Sequence, residues 1–293
     1  MELDKINHIH AHFASHPAAA GFIIHRLTGI SFSFTAHGSD LHRDRHMLPE
    51  KVSKASFVAA ISEYNKSLIL SECQGEYADK VKVVHCGVDT EVFCFRSALT
   101  SFEKGQSPFS ILCVGTLHEV KGQIYLIEAC RVLGERGVNI VCHFVGDGPD
   151  MPILAKKVEQ AGLSDKIIFH GRQTQERIAQ ILQDVDVLAA PSVPTLDGRR
   201  EGIPVVLMEA MSSGVPVIAS NLSGIPELVL NEYTGLLFPP GDIVALADGL
   251  ERYYHDPDLR KRLRSAGRER IVADFDLYKN ASKLAQCIEE TRL

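Results

Sequence analysis

From residue 109 onward, apolar residues fall into short unbroken runs, separated by stretches where they recur at helical spacing. The runs predict strands over residues 109–115, 140–146, 167–170, 185–190, 215–219 and 236–238. The intervening spacing predicts helices over 121–136, 151–161, 175–183, 204–212 and 225–230. Strands that are apolar throughout and alternate with helices indicate a parallel sheet covered on both faces. Such a doubly wound sheet takes its ligand beyond the carboxyl ends of its strands. The loops at Gly115, Gly146-Asp147-Gly148, Gly171, Ser192 and 220–224 all fall there and should meet in one cleft. The first 98 residues follow the same grammar, with strands predicted over 7–13, 31–36, 57–61 and 81–85 and helices over 17–27 and 62–71. Residues 95–108 read as an interdomain linker, and 242–293 as a helical tail.

Composition narrows this picture. A chain of 293 residues has room for two domains. A net charge of −6 argues against nucleic acid as a general partner. No apolar run reaches the length of a membrane span, and residues 1–30 lack a signal-peptide pattern, so the chain reads as cytoplasmic. Seven cysteines, odd in number and without a CxxC pair, read as reduced buried thiols.

The chemistry concentrates in two helix starts joined by one strand. Glu201 and Glu209 bracket the first, with Pro204 set to open it. Two such carboxylates can hold two parts of one polyhydroxylated ligand; they could equally be a solvated helix residue and a helix-start acid. The next loop, Ser223-Gly-Ile-Pro-Glu227, offers backbone N–H groups suited to a phosphate and favours the ligand reading. His8, His10 and His12 have strand spacing and share one face, a pattern that could bind a metal but fits poorly with the rest. No GxSxG elbow or P-loop occurs, and Gly146-Asp147-Gly148 lacks the third glycine of a dinucleotide fingerprint. Arg260, Arg262, Arg264, Arg268 and Arg270 read as a solvated basic face; the alternative is a contact with an anionic membrane presenting a lipid-linked acceptor.

An ordered set of short motifs then runs over nearly the whole chain: His8-Ile-His-Ala-His-Phe13, Phe34-Thr-Ala-His-Gly38, Ala60-Ile-Ser-Glu63, His85-Cys-Gly-Val-Asp89, Val114-Gly115, Lys121-Gly122 and Val145-Gly-Asp-Gly-Pro149. It continues through residues 201–209 and 223–227 to Gly235-Leu-Leu-Phe-Pro-Pro-Gly241. With this set the chain resembles the family 4 glycosyltransferases, retaining enzymes of the GT-B fold, and is similar to those of bacterial exopolysaccharide synthesis of the colanic-acid type. The resemblance implies an α/β fold of two facing Rossmann-like domains: 1–98 as a partial acceptor-side domain, 99–275 as the nucleotide-sugar domain, and 276–293 as a helix crossing back. It implies a catalytic set of Glu201, His37 and Lys121. Glu201 would hold hydroxyls of the donor sugar, Glu209 the ribose hydroxyls, and Lys121 the diphosphate. Gly115, Thr116, Gly202, Ile203, Ser223, Gly224 and Ile225 would complete the donor contacts, with Gly146, Asp147, Gly148 and Gly171 flanking the base. The donor would be a UDP- or GDP-linked sugar, the acceptor a saccharide or lipid-linked saccharide. No DxD-like acidic pair stands where a divalent ion would be expected, so no obligatory metal is predicted.

Two departures from the family pattern stand out. Thr116 occupies a position where the family often has an arginine on the diphosphate; Arg199 or Arg200 could compensate. On the order of 100 residues of the N-terminal domain are also missing relative to the family, which predicts an unpaired strand edge. The sequence reads first as a fragment or a truncated gene model; alternatively a partner chain could supply that half. The alternatives to a transferase are a catalytically silent nucleotide-sugar-binding subunit and a sugar-nucleotide epimerase.

Overall fold

The computed structural model of the chain describes residues 6–42, 45–96, 102 and 107–292. The 95–108 linker therefore lies largely outside the described residues. Two parallel sheets organise the rest, one in each of two lobes.

The N-terminal lobe contains β1 (His8–His12), α1 (His16–Thr28), β2 (Ser31–Ala36), α2 (Ser39–His42), α3 (Leu48–Lys54), β3 (Val58–Ala60), α4 (Glu63–Glu72) and β4 (Val81–Val83). Its four strands pair in the order β1-β2-β3-β4, so the strand order never reverses, and among the described residues the outer edge of β1 has no ladder partner. The short helices α2 and α3 are not evident from periodicity. One face of the sheet packs Phe32, Phe34, Val58 and Ala60 against Leu41, Leu48, Val52 and Ile69 of the covering helices.

The C-terminal lobe runs through β5 (Phe109–Val114), α5 (Gln123–Glu135), β6 (Ile140–Val145), α6 (Met151–Gln160), β7 (Ile167–Phe169), α7 (Gln175–Asp184) and β8 (Val187–Ala190). It continues with α8 (Val205–Ser212), β9 (Val217–Ser220), α9 (Ile225–Leu228), β10 (Leu236–Phe238), α10 (Ile243–His255), α11 (Pro257–Asp274) and α12 (Leu277–Glu289). The predicted helix over 121–136 is broken: Lys121 ends a single 3-10 turn, Gly122 adopts φ +66°, and α5 starts at Gln123. The six strands order as β10-β9-β8-β5-β6-β7, which reverses direction between β5 and β8. At such a reversal the helices on either side diverge and leave a crevice at the carboxyl ends of the strands.

Both faces of this sheet are buried. Ile111, Cys142, Phe144 and Ile218 pack under α5, α6 and α10, while Leu112, Leu188, Val217 and Ala219 pack under α7, α8 and α11. The helical tail is divided into three helices. Asp256 and Asp276 break it, and each caps the following helix by accepting from the N–H of Leu259 and Lys279. Helix α12 lies on the N-terminal lobe, where Leu284, Cys287 and Ile288 cover Phe57, Ala59 and Val84.

The basic stretch of α11 is not a solvated face, and this corrects the sequence reading. Arg260 is buried, stacks on Phe102 and donates to the carbonyls of Tyr253 and Tyr254. Arg264 donates to Arg96 O, Arg268 to Phe93 O and Ser212 O, and Arg270 to Glu227 O. A guanidinium carries its charge on a long apolar stem, so such a side chain can lie along a packed seam and spend its donors on main-chain oxygens. Of the basic residues from 260 to 270 only Lys261 and Arg262 are exposed, and Arg262 bonds Glu232 O. Among the described residues, no helix is long and apolar enough to cross a membrane.

Candidate functional site

A cleft of about 630 Å³ opens at the carboxyl ends of β5, β6 and β7, on one side of the reversal point, lined by Val114, Gly115, Thr116, Val145, Gly146, Asp147, Gly148, Arg172, Gln173 and Ile178. Three strand-end loops build its floor by bonding to each other: Gly115 N–H donates to Val145 O, Leu117 N–H to Asp147 O, and Gly146 N–H to Gly171 O. Only glycine fits at Gly146, which has φ +139° and where a methyl group would overlap Gly115 O.

The Lys121 side chain lies over Gly115, where a methyl group would meet its Cε at 3.2 Å. Its ammonium pairs with Glu201 Oε2 at 2.9 Å. Both side chains keep partial access to solvent, 23% and 17%, so a ligand can reach and exchange the pair. Glu209 is held differently. It sits in the second turn of α8, is 7% exposed, and receives a hydrogen bond from Gln175 Nε2 at 3.4 Å, at the limit of useful length. Burial raises its pKa, opposed by the Gln175 contact. Gln175 opens α7, two residues beyond the cleft-lining Gln173, and Lys121 lies over the cleft-lining Gly115, so both carboxylates are one contact removed from the lining.

At the Ser223–Ile225 loop, the Ile225 N–H is committed to Leu222 O, whereas the N–H groups of Ser223 and Gly224 have no backbone acceptor among the described residues. Ser223 holds φ +50°, which turns the loop sharply. Helix α9 spans only Ile225–Leu228, too short for a substantial dipole, so these amides themselves are what the loop can offer an anion.

His37 reaches the site from the other lobe. The Gly38 and Gly202 loops touch: a methyl at Gly38 would stand 3.2 Å from Gly202 N, which brings His37 beside the Glu201 segment, while Gly202 backs onto Ile61 and Ile203 onto Gly224. Asp40 Oδ2 accepts the His37 N–H at 3.1 Å, Asn65 Nδ2 donates to His37 O at 2.6 Å, and His37 Nε2 lies 3.2 Å from His12 Nδ1. Burial lowers the His37 pKa, with Asp40 opposing and His12 adding to the effect. His37 lines a second cleft of about 360 Å³ with His12, His85, Ile61, Val84, Val205, Leu277 and Leu284.

Sequence reasoning did not identify Arg172, Gln173 or Gln175. The available signal was position alone: they follow Gly171 at the carboxyl end of β7. Of the residues proposed to compensate for Thr116, Arg199 is paired with Asp197 at 3.0 Å and bonded to His118 at 2.9 Å, while Arg200 is exposed. Arg172, which shares the cleft with Thr116, is the better placed cation. The imidazoles of His8 and His10 are turned to Ser31, Ser33 and Thr35 at 2.7–2.9 Å, and among the described residues no group of three potential ligands could hold a metal.

Comparison with known proteins gives two family matches: Glycosyl transferases group 1 over residues 99–270, and Glycosyltransferase Family 4 over residues 1–92. The amylovoran biosynthesis glycosyltransferase AmsK of Erwinia amylovora is 34% identical over 263 residues, covering 86% of this chain and 62% of AmsK. WcaL of Escherichia coli, named as a candidate colanic acid biosynthesis glycosyltransferase, is 36% identical over 212 residues, covering 72% of this chain and 51% of WcaL. The chain thus spans between half and two thirds of the length of these relatives. Among solved structures, Anabaena HepE in complex with UDP superposes with a TM-score of 0.84 at 22% identity, covering 97% of this chain and 79% of HepE. The fold is therefore GT-B.

Proposed function

The chain belongs to the group 1 glycosyl transferases, and from that premise we propose that it moves a sugar from a nucleoside diphosphate sugar to a hydroxyl acceptor, with retention of configuration, in exopolysaccharide synthesis. The reading rests on an exchangeable Lys121–Glu201 contact beside the cleft-lining Gly115 and on a buried, sparsely bonded Glu209 that is held by Gln175, two residues past the cleft-lining Gln173. A buried carboxylate with one long hydrogen bond leaves acceptor capacity unused, and vicinal ribose hydroxyls supply the two donors it lacks. The donor's diphosphate draws Lys121 away from Glu201, with the Ser223 and Gly224 amides and Arg172 sharing the load. Glu201 is then free to accept from hydroxyls of the sugar.

Transfer requires stabilising the charge that develops on the departing diphosphate, and preorganised cations and amides do this without reorganisation at the moment of reaction. The acceptor hydroxyl approaches the anomeric carbon from the side of the leaving group, which gives retention. His37, kept neutral by burial, faces the reacting sugars from the other lobe. The second cleft, with its largely apolar wall beside His37, suits an acceptor whose saccharide is joined to an apolar carrier. No step in this scheme needs a divalent ion.

Donor-dependent release of nucleoside diphosphate tests the proposal, in this chain or in one extended to the length of its relatives. Glu201→Ala should abolish most of that release while leaving the circular dichroism spectrum intact; unchanged turnover would remove Glu201 from the mechanism. A nucleotide sugar recovered with altered stereochemistry and its nucleotide still attached would indicate epimerisation instead. Activity lost with EDTA and restored by manganese would overturn the metal-free reading.

A further inference from the structure

Glu227 stands two residues past Ile225 at the end of the Ser223–Ile225 loop, yet its carboxylate is spent on the other lobe. Oε2 accepts the N–H of Glu63 and Oε1 the N–H of Tyr64, each at 2.8 Å, across 164 and 163 residues of sequence. These are the first two amides of α4, which no bond within the helix can satisfy. Ser62 Oγ takes the third, that of Asn65, at 3.0 Å. His85, also in the N-terminal lobe, brings its Nε2 to 3.5 Å from Glu227 Oε2. Ser62 also backs onto Gly224, where a methyl group would fall 3.2 Å from its side chain. Helix α4 in turn holds the candidate catalytic histidine, because Asn65, fully buried, donates to His37 O at 2.6 Å.

We propose that Glu227 is a positioning residue that clamps the two lobes together, capping α4 from across the cleft and so fixing His37 relative to the diphosphate loop. The clamp and the loop belong to one five-residue stretch, Ser223 to Glu227, so the clamp sets where His37 stands relative to the loop amides without being needed for those amides to meet a ligand. Two charge-assisted bonds to helix-end amides outweigh a surface ion pair, because they are directed and the amides have no other acceptor among the described residues. The consequence for transfer rests on the transferase reading; the clamp itself does not.

The test uses the whole 293-residue chain. In Glu227→Gln, one of the two N–H groups faces an amide donor in place of an oxygen. Amide hydrogen exchange at Glu63 and Tyr64 should accelerate at least tenfold, and the radius of gyration from small-angle scattering should increase. Glu63→Pro is a milder check: Ser62 is already extended, with φ −161° and ψ 159°, and proline suits the first helical position, so α4 persists while one donor disappears. Exchange at Tyr64 should rise in this variant with the melting temperature nearly unchanged. Binding of UDP or GDP, measured by calorimetry, should stay within threefold of wild type in both variants, because its contacts lie on one lobe. In a chain that turns over, kcat should fall with little change in donor KM. Wild-type exchange at Glu63 and Tyr64 in Glu227→Gln, with an unchanged radius of gyration, would overturn the clamp. A wild-type chain that binds no nucleotide would count against the transferase reading alone, since exchange still reports on the clamp.

Discussion

A carboxylate as enclosed as Glu209 is costly to keep charged unless a ligand supplies donors, and this sets what its removal should do. Glu209→Ala should weaken nucleotide binding by about 1–3 kcal/mol, the range for a lost hydrogen bond to a charged group. Calorimetry with UDP and GDP checks it, and an unchanged affinity would end the ribose assignment. Thr116 offers the opposite experiment. Restoring a cation there with Thr116→Arg should tighten diphosphate binding about tenfold, and Arg172→Ala should loosen it. His10 makes a prediction about pH. Burial, then His12, His8 and His37, lower its pKa from 6.5 to about 4. Below pH 6.5 the unfolded chain therefore takes up a proton that the folded chain refuses, and stability falls as pH drops from 6.5 towards 4. Denaturation midpoints should follow that slope, and His10→Gln should flatten it. At this scale Glu201 and Glu209 were marked by their spacing around a helix start opened by Pro204, and Lys121 only through the family resemblance. It could not distinguish Arg172 from any exposed arginine, since what matters there is which loop it shares.

Among the elements, the short 3-10 turn that delivers Lys121 depends on Gly122. This residue sits at φ +66°, and a methyl group there would overlap Pro191 O. Gly122→Ala should cost about 1–3 kcal/mol from backbone strain alone, with the clash in addition. Both melting temperature and nucleotide affinity should fall, because the turn cannot move without carrying Lys121 off Gly115. A variant with wild-type stability and affinity would show that the turn is not under this constraint. The strands of the larger sheet were legible because both of its faces are covered, leaving runs such as Ile111-Leu112-Cys113 with no polar interruption. Helices α2 and α3 were not, because four and seven residues give too few turns for a period to emerge. The break at Gly122 was hidden for a related reason: the apolar spacing of α5 continues smoothly back through a residue whose left-handed backbone sequence alone does not reveal.

In the whole molecule, the lobes are joined by more than a linker. Val88 N–H donates to Phe275 O at 2.9 Å and Leu277 N–H to Val88 O at 3.1 Å, so the outgoing and returning crossings run side by side. The arginines of α11 stitch the segment around them. Arg268→Glu should destabilise the fold by roughly 3–5 kcal/mol, because it places a carboxylate among the carbonyl oxygens of Thr90, Phe93 and Ser212. The measurement is a melting curve; a variant that melts like wild type but loses liposome binding would restore the membrane reading of this helix. Charge spacing on a helix says where guanidinium groups start but not what they reach, which is why the sequence alone pointed to solvent. Those groups grip main-chain oxygens, which every amino acid carries, so the arginines read where the backbone runs, while gripped residues such as Phe93 and Ser212 answer to their own packing and hydrogen bonds. The arginines themselves should therefore resist exchange even for lysine, whose ammonium lacks the fork that lets Arg268 reach the carbonyls of Phe93, Ser212 and Thr90 together.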